Sequence, residues 1–221
     1  MKILIDSANI HSIKQLSDYY QIEGVTTNPT ILAKEQSDYL QQLREIRQLI
    51  GENKMLFVQT ISENATDIVE EAKKIISEID ENVYIKVPAI REGYKAMKEL
   101  NQLGIDTLAT AIYTAQQALM AARCGAAYVA PYVNRIDNVS GDGIKVVSEI
   151  IELFITHRLK TEVLAASFKN VNQVHKCSLV GAQFVTASPD IIEELHFHPC
   201  SELSVDQFTI DWKERFGKLT I

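Results

Sequence analysis

Short apolar runs alternate with longer amphipathic stretches along most of the chain. Ile3–Asp6, Val25–Asn28, Leu56–Thr60, Val83–Pro88, Thr107–Ile112, Tyr128–Val133, Val163–Ser167 and Phe184–Ala187 are rich in β-branched and aromatic residues, which predicts eight strands. The stretches between them carry apolar residues at helical spacing. In Thr66–Ile79, for example, Ile68, Val69, Ala72, Ile75, Ile76 and Ile79 fall on one side of a helix. Helices are likewise expected over Ile10–Tyr20, Tyr39–Leu49, Tyr94–Leu103, Ala115–Arg123, Ile144–Phe154, Val171–Val180 and Pro189–Leu195. Gly104 and Gly181 stand where helices commonly end.

Regular alternation of strand and helix implies an α/β protein with parallel strands. Eight such units in 221 residues fit a closed (β/α)8 barrel, somewhat shorter than the usual length of ~250 residues. An open doubly wound sheet would ordinarily carry a glycine-rich turn after its first strand, and Asp6-Ser7-Ala8-Asn9 has no glycine. No linker divides the units, so residues 1–221 are expected to form one barrel domain with an extra C-terminal helix over about 205–217. In that helix Val205, Phe208, Trp212 and Phe216 share a face. The ordinary expectation is that this face covers its own barrel; docking on a neighbouring chain is the alternative.

The fourth strand carries the residue least suited to a strand interior. Val83, Ile85 and Val87 share one face, which leaves Tyr84 and Lys86 on the other. An ammonium enclosed in a protein is costly unless it is paired or loses its proton. An enclosed Lys86 is therefore either an ion-pair partner or an amine able to attack a carbonyl. Polar residues stand near the C-terminal ends of six other strands as well: Asp6, Asn28, Gln59, Thr110, Tyr132 and Ser167. Barrel active sites are assembled at that rim from several strands.

Each rim residue has an ordinary reading as a cap or a half-buried side chain, but together they suit Schiff-base chemistry. Lys86 supplies the amine, Asp6 and Tyr132 handle protons, Gln59 and Thr110 can position a water, and Asn28 can bind substrate hydroxyls. Arg135, Ser167 and Lys169 follow late strands, where barrels often bind phosphate. A surface ion pair with Asp137 is the competing reading of Arg135.

Composition narrows the field. Hydrophobic residues make up 46% of the chain and the formal net charge is −7, which argues against a nucleic-acid surface. The N-terminal run meets Asp6 too early for a signal peptide, and no apolar run approaches membrane-spanning length, so neither a membrane partner nor export is expected. Cys124, Cys177 and Cys200 are few and widely spaced, which suits a cytoplasmic protein. His196 and His198 lack a clear third partner, so no metal is expected, and no nucleotide or hydrolase motif is present.

Five stretches resemble the transaldolase family of class I aldolases, and specifically its small fructose-6-phosphate aldolase branch. They are Gly24-Val25-Thr26-Thr27-Asn28-Pro29-Thr30, Ile85-Lys86-Val87-Pro88, Thr107-Leu108-Ala109-Thr110-Ala111-Ile112-Tyr113, Tyr128-Val129-Ala130-Pro131-Tyr132-Val133-Asn134-Arg135-Ile136-Asp137 and Leu164-Ala165-Ala166-Ser167-Phe168-Lys169. The resemblance implies a single barrel with no cofactor, in which Lys86 forms the Schiff base and Asp6 transfers protons. Tyr132 would work with a water held by Gln59 and Thr110. Asn28 would bind the sugar, and Arg135 and Ser167, with Lys169, its phosphate.

Members of the transaldolase type typically carry glutamate in place of Gln59 and phenylalanine in place of Tyr132. An amide cannot titrate, so proton handling would fall to the phenol. That pairing favours cleavage and formation of fructose 6-phosphate from dihydroxyacetone and glyceraldehyde 3-phosphate over transfer to a second sugar. Transaldolase activity is the runner-up, and a non-catalytic sugar-phosphate-binding barrel the third reading. Relatives of this kind form rings of five that pair into decamers, so a homo-oligomer is expected. Thr186-Ala187-Ser188-Pro189 departs from the leucine-rich turn common among them.

Overall fold

In the computed structural model, which describes residues 1–220, the eight apolar runs form β1 (Lys2–Asp6), β2 (Gly24–Thr26), β3 (Met55–Gln59), β4 (Val83–Pro88), β5 (Thr107–Ile112), β6 (Tyr128–Pro131), β7 (Glu162–Ala165) and β8 (Phe184–Ala187). Each strand pairs in parallel with the next, and β8 returns to β1 to close the sheet. The helices are α1 (Ile10–Tyr19), α2 (Pro29–Leu32), α3 (Tyr39–Ile50), α4 (Ala65–Glu78), α5 (Arg91–Gln102), α6 (Ala115–Arg123), α7 (Val133–Asn138), α8 (Gly143–Thr156), α9 (Val171–Leu179), α10 (Pro189–His196) and α11 (Pro199–Phe216). The architecture is a TIM barrel with an added C-terminal helix.

Two apolar layers follow from side-chain alternation. Outward residues such as Ile5, Val58, Ile85, Val129 and Val185 pack against the surrounding helices. Inward residues Leu4, Phe57, Leu108, Ala130, Leu164 and Phe184 fill the barrel, joined by Tyr84 and Tyr128. Phe57 stacks on Tyr84 with ring centroids 4.8 Å apart, and Tyr128 meets Phe57 and Phe184 edge-on at 5.5 Å. This aromatic plug fills the barrel below the rim and sets the chamber at the C-terminal end apart from the opposite mouth.

Helix starts are written locally. Asn9, Asn64, Asp142 and Asn170 accept first-turn backbone N–H groups, and Thr114 and Gln117 form a reciprocal capping box. These caps satisfy amides that would otherwise be unpaired, and all but Asp142, which follows α7, lie a few residues past a strand.

Three strands end two residues sooner than the apolar pattern predicts. Asn28 caps α2, with Pro29 as that helix's first residue; Tyr132 stands at the cap position of α7; and Ser167 turns to φ 61° beyond β7. In each case the chain leaves the ladder to turn at the rim, and neither α2 nor α7 is legible as an apolar run. α11 begins earlier than expected, with Pro199 in its first turn.

The expectation that the terminal helix covers its own barrel is corrected. None of the residues of α11 is buried, and Phe208 and Phe216 are 67% and 53% exposed. Leu203 and Ile210 lie on the side of the helix opposite Val205, Phe208, Trp212 and Phe216. Its apolar residues are thus not gathered into a single barrel-facing stripe. Among the described residues no helix is long and apolar enough to cross a membrane.

One glycine is required by closure of the sheet. A Cβ at Gly24 would stand 2.1 Å from the carbonyl oxygen of Met55, its register partner on β3. Backbone cannot yield there as a flexible side chain would. Gly24→Ala is expected to destabilise the barrel by about 1–3 kcal/mol, the usual range for overpacking. Denaturant titration against the wild type checks this; an unchanged midpoint would contradict it.

Candidate active site

β4 carries Lys86 on its inner face, where it is only 5% exposed. Its Nζ donates to the Thr27 carbonyl oxygen at 2.7 Å, just where the chain leaves β2. Burial pushes the amine well down from the ordinary lysine range, and the charge of Asp6 opposes that shift only in part. Asp6 faces inward at the end of β1. Its Oδ1 accepts from Thr26 Oγ1 at 2.7 Å, and Thr26 Oγ1 lies 2.7 Å from Thr186 Oγ1.

Opposite them, Tyr132 is paired through its hydroxyl with Thr110 Oγ1 at 2.7 Å. Burial raises the phenol above its ordinary range. The Thr110 hydroxyl, the Arg135 charge and the Ala111 backbone pull it back, while Asp6 adds to the rise. Ala111 has φ 57°, within the stretch where the β5–β6 register shifts. Left-handed backbone at a non-glycine residue is uncommon and clusters at functional sites. Ser167 shares that conformation at the same rim. The Arg135 guanidinium lies over the Tyr132 ring, 4.8 Å from its centroid.

These side chains line one chamber of about 150 Å³. Of the residues singled out from sequence, it brings together Asp6, Asn28, Lys86, Thr110, Tyr132, Arg135 and Ser167, above a floor that includes Leu108, Ala130 and Leu164. The Asn28 Oδ1 is occupied in capping, accepting from Ile31 N–H at 2.9 Å, so its amide nitrogen is what it chiefly offers a bound group. Among the described residues Arg135 forms no ion pair; Asp137 instead accepts from Gly143 N–H and Gln173 Nε2.

Two candidates lie elsewhere. Gln59 is the register partner of Lys86, yet it lines a separate, more apolar cavity of about 360 Å³ beside Pro29, Leu32 and Val58. Lys169 is exposed and outside the chamber lining, its backbone N–H donating to Gln173 Oε1.

Thr26 and Thr186 are chamber residues that motif reasoning missed. Parity could have found both. Thr26 precedes Asn28 by two positions, and Thr186 holds the inward place two residues after Phe184.

A family model described as transaldolase/fructose-6-phosphate aldolase matches residues 3–219. The chain belongs to that family. Among solved structures, a double mutant of flavocytochrome b2 with pyruvate bound shares 11% identity at a TM-score of 0.61, covering 85% of this chain and 56% of that one. A second such structure, with sulfite bound, matches at 12% identity and the same TM-score. The chain thus spans little more than half the length of those proteins, and at such identity the likeness is one of fold.

In this transaldolase/aldolase family member, the late histidines have local roles. His196 Nδ1 lies 2.8 Å from the Tyr20 hydroxyl, and His198 Nδ1 accepts from Cys200 N–H at the start of α11. Among the described residues no group of three or more His, Cys, Asp or Glu is placed to hold a metal ion.

The depressed Lys86 carries a stability signature. Unfolded, a lysine keeps its proton to about pH 10.5, whereas the folded Lys86 releases it at lower pH. Between those points the unfolded state binds more protons, so this residue makes stability rise with pH through that window. Lys86→Met is expected to remove that rise and to be no less stable than wild type at neutral pH. Melting midpoints at several pH values for both proteins check this; parallel curves would contradict it.

Proposed function

We propose that this enzyme is a Schiff-base aldolase that cleaves and forms fructose 6-phosphate, with dihydroxyacetone and glyceraldehyde 3-phosphate as the partners. The observation that carries the reading is Lys86. It is an enclosed amine of depressed basicity that shares a chamber with one carboxylate and one hydrogen-bonded phenol. At neutral pH such an amine has a larger unprotonated fraction, and only that form attacks a carbonyl.

In this mechanism Lys86 Nζ adds to the ketose carbonyl and water leaves, giving an iminium. Asp6 takes the proton of the hydroxyl on the carbon beyond the scissile bond. That bond breaks, its electron pair passes to the iminium as an enamine, and glyceraldehyde 3-phosphate departs. Protonation of the enamine carbon and hydrolysis then return the amine and release dihydroxyacetone. Tyr132, held by Thr110, moves protons through water in those last steps.

Asn28 holds a sugar hydroxyl, and Arg135 with Ser167 holds the phosphate at the mouth. Lys169, being exposed, reaches a long or mobile substrate at most. Gln59, one strand from Lys86, lines a separate cavity and is given no step in this scheme. No cofactor or metal has a part in this scheme.

The deciding measurement is release of glyceraldehyde 3-phosphate from fructose 6-phosphate with and without erythrose 4-phosphate. Release without the second sugar is expected. Turnover only in its presence would make the enzyme a transaldolase. Borohydride with substrate is expected to label Lys86, and Lys86→Met to abolish both labelling and turnover; a folded Lys86→Met variant that retained activity would sink the mechanism.

The assembly follows from α11. An unburied helix bearing Val205, Phe208, Trp212 and Phe216 is suited to docking on a neighbouring copy; the rings of five and paired rings come from the resemblance alone. Light scattering should give a multiple of the subunit mass for the full chain and a smaller species for a variant ending at His198. Equal masses for the two would remove α11 from the interface.

A further inference from the structure

The seven rim positions read from sequence leave β8 without a contribution, and the turn after β8 departs from the expected pattern. The structure fills that gap with Thr186. In the closed sheet β1 lies between β8 and β2, with Leu4 in register with Thr186 and Asp6 in register with Thr26. The two threonine side chains therefore meet across the inner face of β1. Both are almost wholly enclosed, at 1% exposure for Thr26 and 3% for Thr186.

The chemistry of these groups fixes the direction of the chain. An ionised carboxylate only accepts, so Thr26 must give its single hydroxyl proton to Asp6. Thr26 is then only an acceptor toward Thr186, whose hydroxyl must be the donor. Hydrogen bonds in series polarise one another, most effectively where water is excluded. We propose that Thr26 and Thr186 form a two-hydroxyl support that holds the Asp6 carboxylate in its working orientation, with Thr26 as the positioning residue and Thr186 as the brace that orders it. The other charged or titratable side chains lining the chamber are Lys86 on β4, Tyr132 at the end of β6 and Arg135 on α7. None of them replaces the Thr26 hydroxyl as a donor to Asp6 Oδ1.

This inference rests on the proposed role of Asp6 in proton transfer, and its test separates the two. Thr26→Val keeps the shape and removes the donor. It is expected to lower kcat about ten- to a hundredfold, the scale of one charge-assisted hydrogen bond, with little change in KM. Thr26→Ser restores the donor and is expected to recover most of the rate. Thr186→Val is expected to cost less, and the double valine variant to lose no more than Thr26→Val alone, since breaking the chain at Thr26 already makes the brace idle.

Circular dichroism and melting midpoints show whether each variant is folded, and the serine variant decides the matter if a valine variant is not. Crystal structures of wild type and Thr26→Val should show Asp6 in different rotamers. If the wild type turns over no ketose, the functional reading fails, and the rotamer comparison still decides whether the threonines hold Asp6. An unmoved carboxylate overturns the proposal. So does a kcat for Thr26→Val equal to wild type, or a valine loss that serine does not rescue.

Discussion

Side-chain alternation on a closed parallel sheet governs the rest of this molecule. Every strand must present one face to the helices and one to the barrel axis, because closure leaves no edge and no third environment. The outward face can be uniformly aliphatic. The inward face is filled over part of its height by the ring cluster of Phe57, Tyr84, Tyr128 and Phe184. Above that plug, inward positions are too far enclosed for bulk water and too polar for simple packing. Lys86 belongs to that layer, two residues beyond Tyr84 on the same face of β4.

Enclosure does two things to Lys86 at once. It removes the hydration that would keep the amine protonated, and it brings Asp6 close enough to restore part of the cost. The balance is an enclosed amine of depressed basicity with a carboxylate beside it. The same low-dielectric setting raises the Tyr132 phenol, which favours its protonated form, while Thr110 and Arg135 limit the rise. One environment thus moves the two groups in opposite directions, the Lys86 amine down and the Tyr132 phenol up, within one small chamber.

Strain at the rim accompanies this arrangement. Ala111 and Ser167 both adopt left-handed backbone, one where the β5–β6 register slips and one just beyond β7. A regular strand could not turn its backbone at these points without carrying the chain past the chamber. The rigid ladder beneath supports the distortion, which is why such conformations persist at sites of this kind. α11 is the opposite case. It is well capped and well formed, yet none of its residues is buried within its own chain.

The local pattern of the sequence determined the eight strand–helix units, their parallel arrangement and the faces of the strands, because alternation and helical spacing need no knowledge of distant residues. It also marked Lys86, Asp6, Thr110 and Tyr132 as rim groups, since parity and strand ends are legible in single segments. Only the tertiary structure decided which rim groups meet. The stagger between neighbouring strands and the turns at Asn28, Tyr132 and Ser167 set distances across the barrel, and no local pattern encodes a stagger. Hence Thr26 proved to stand against Asp6 and Thr186 against Thr26, Gln59 to line a separate cavity, and Lys169 to lie in solvent. For α11 the helical pattern was readable, but where its aromatic residues lie relative to the barrel depended on the turn after α10, which periodicity does not record.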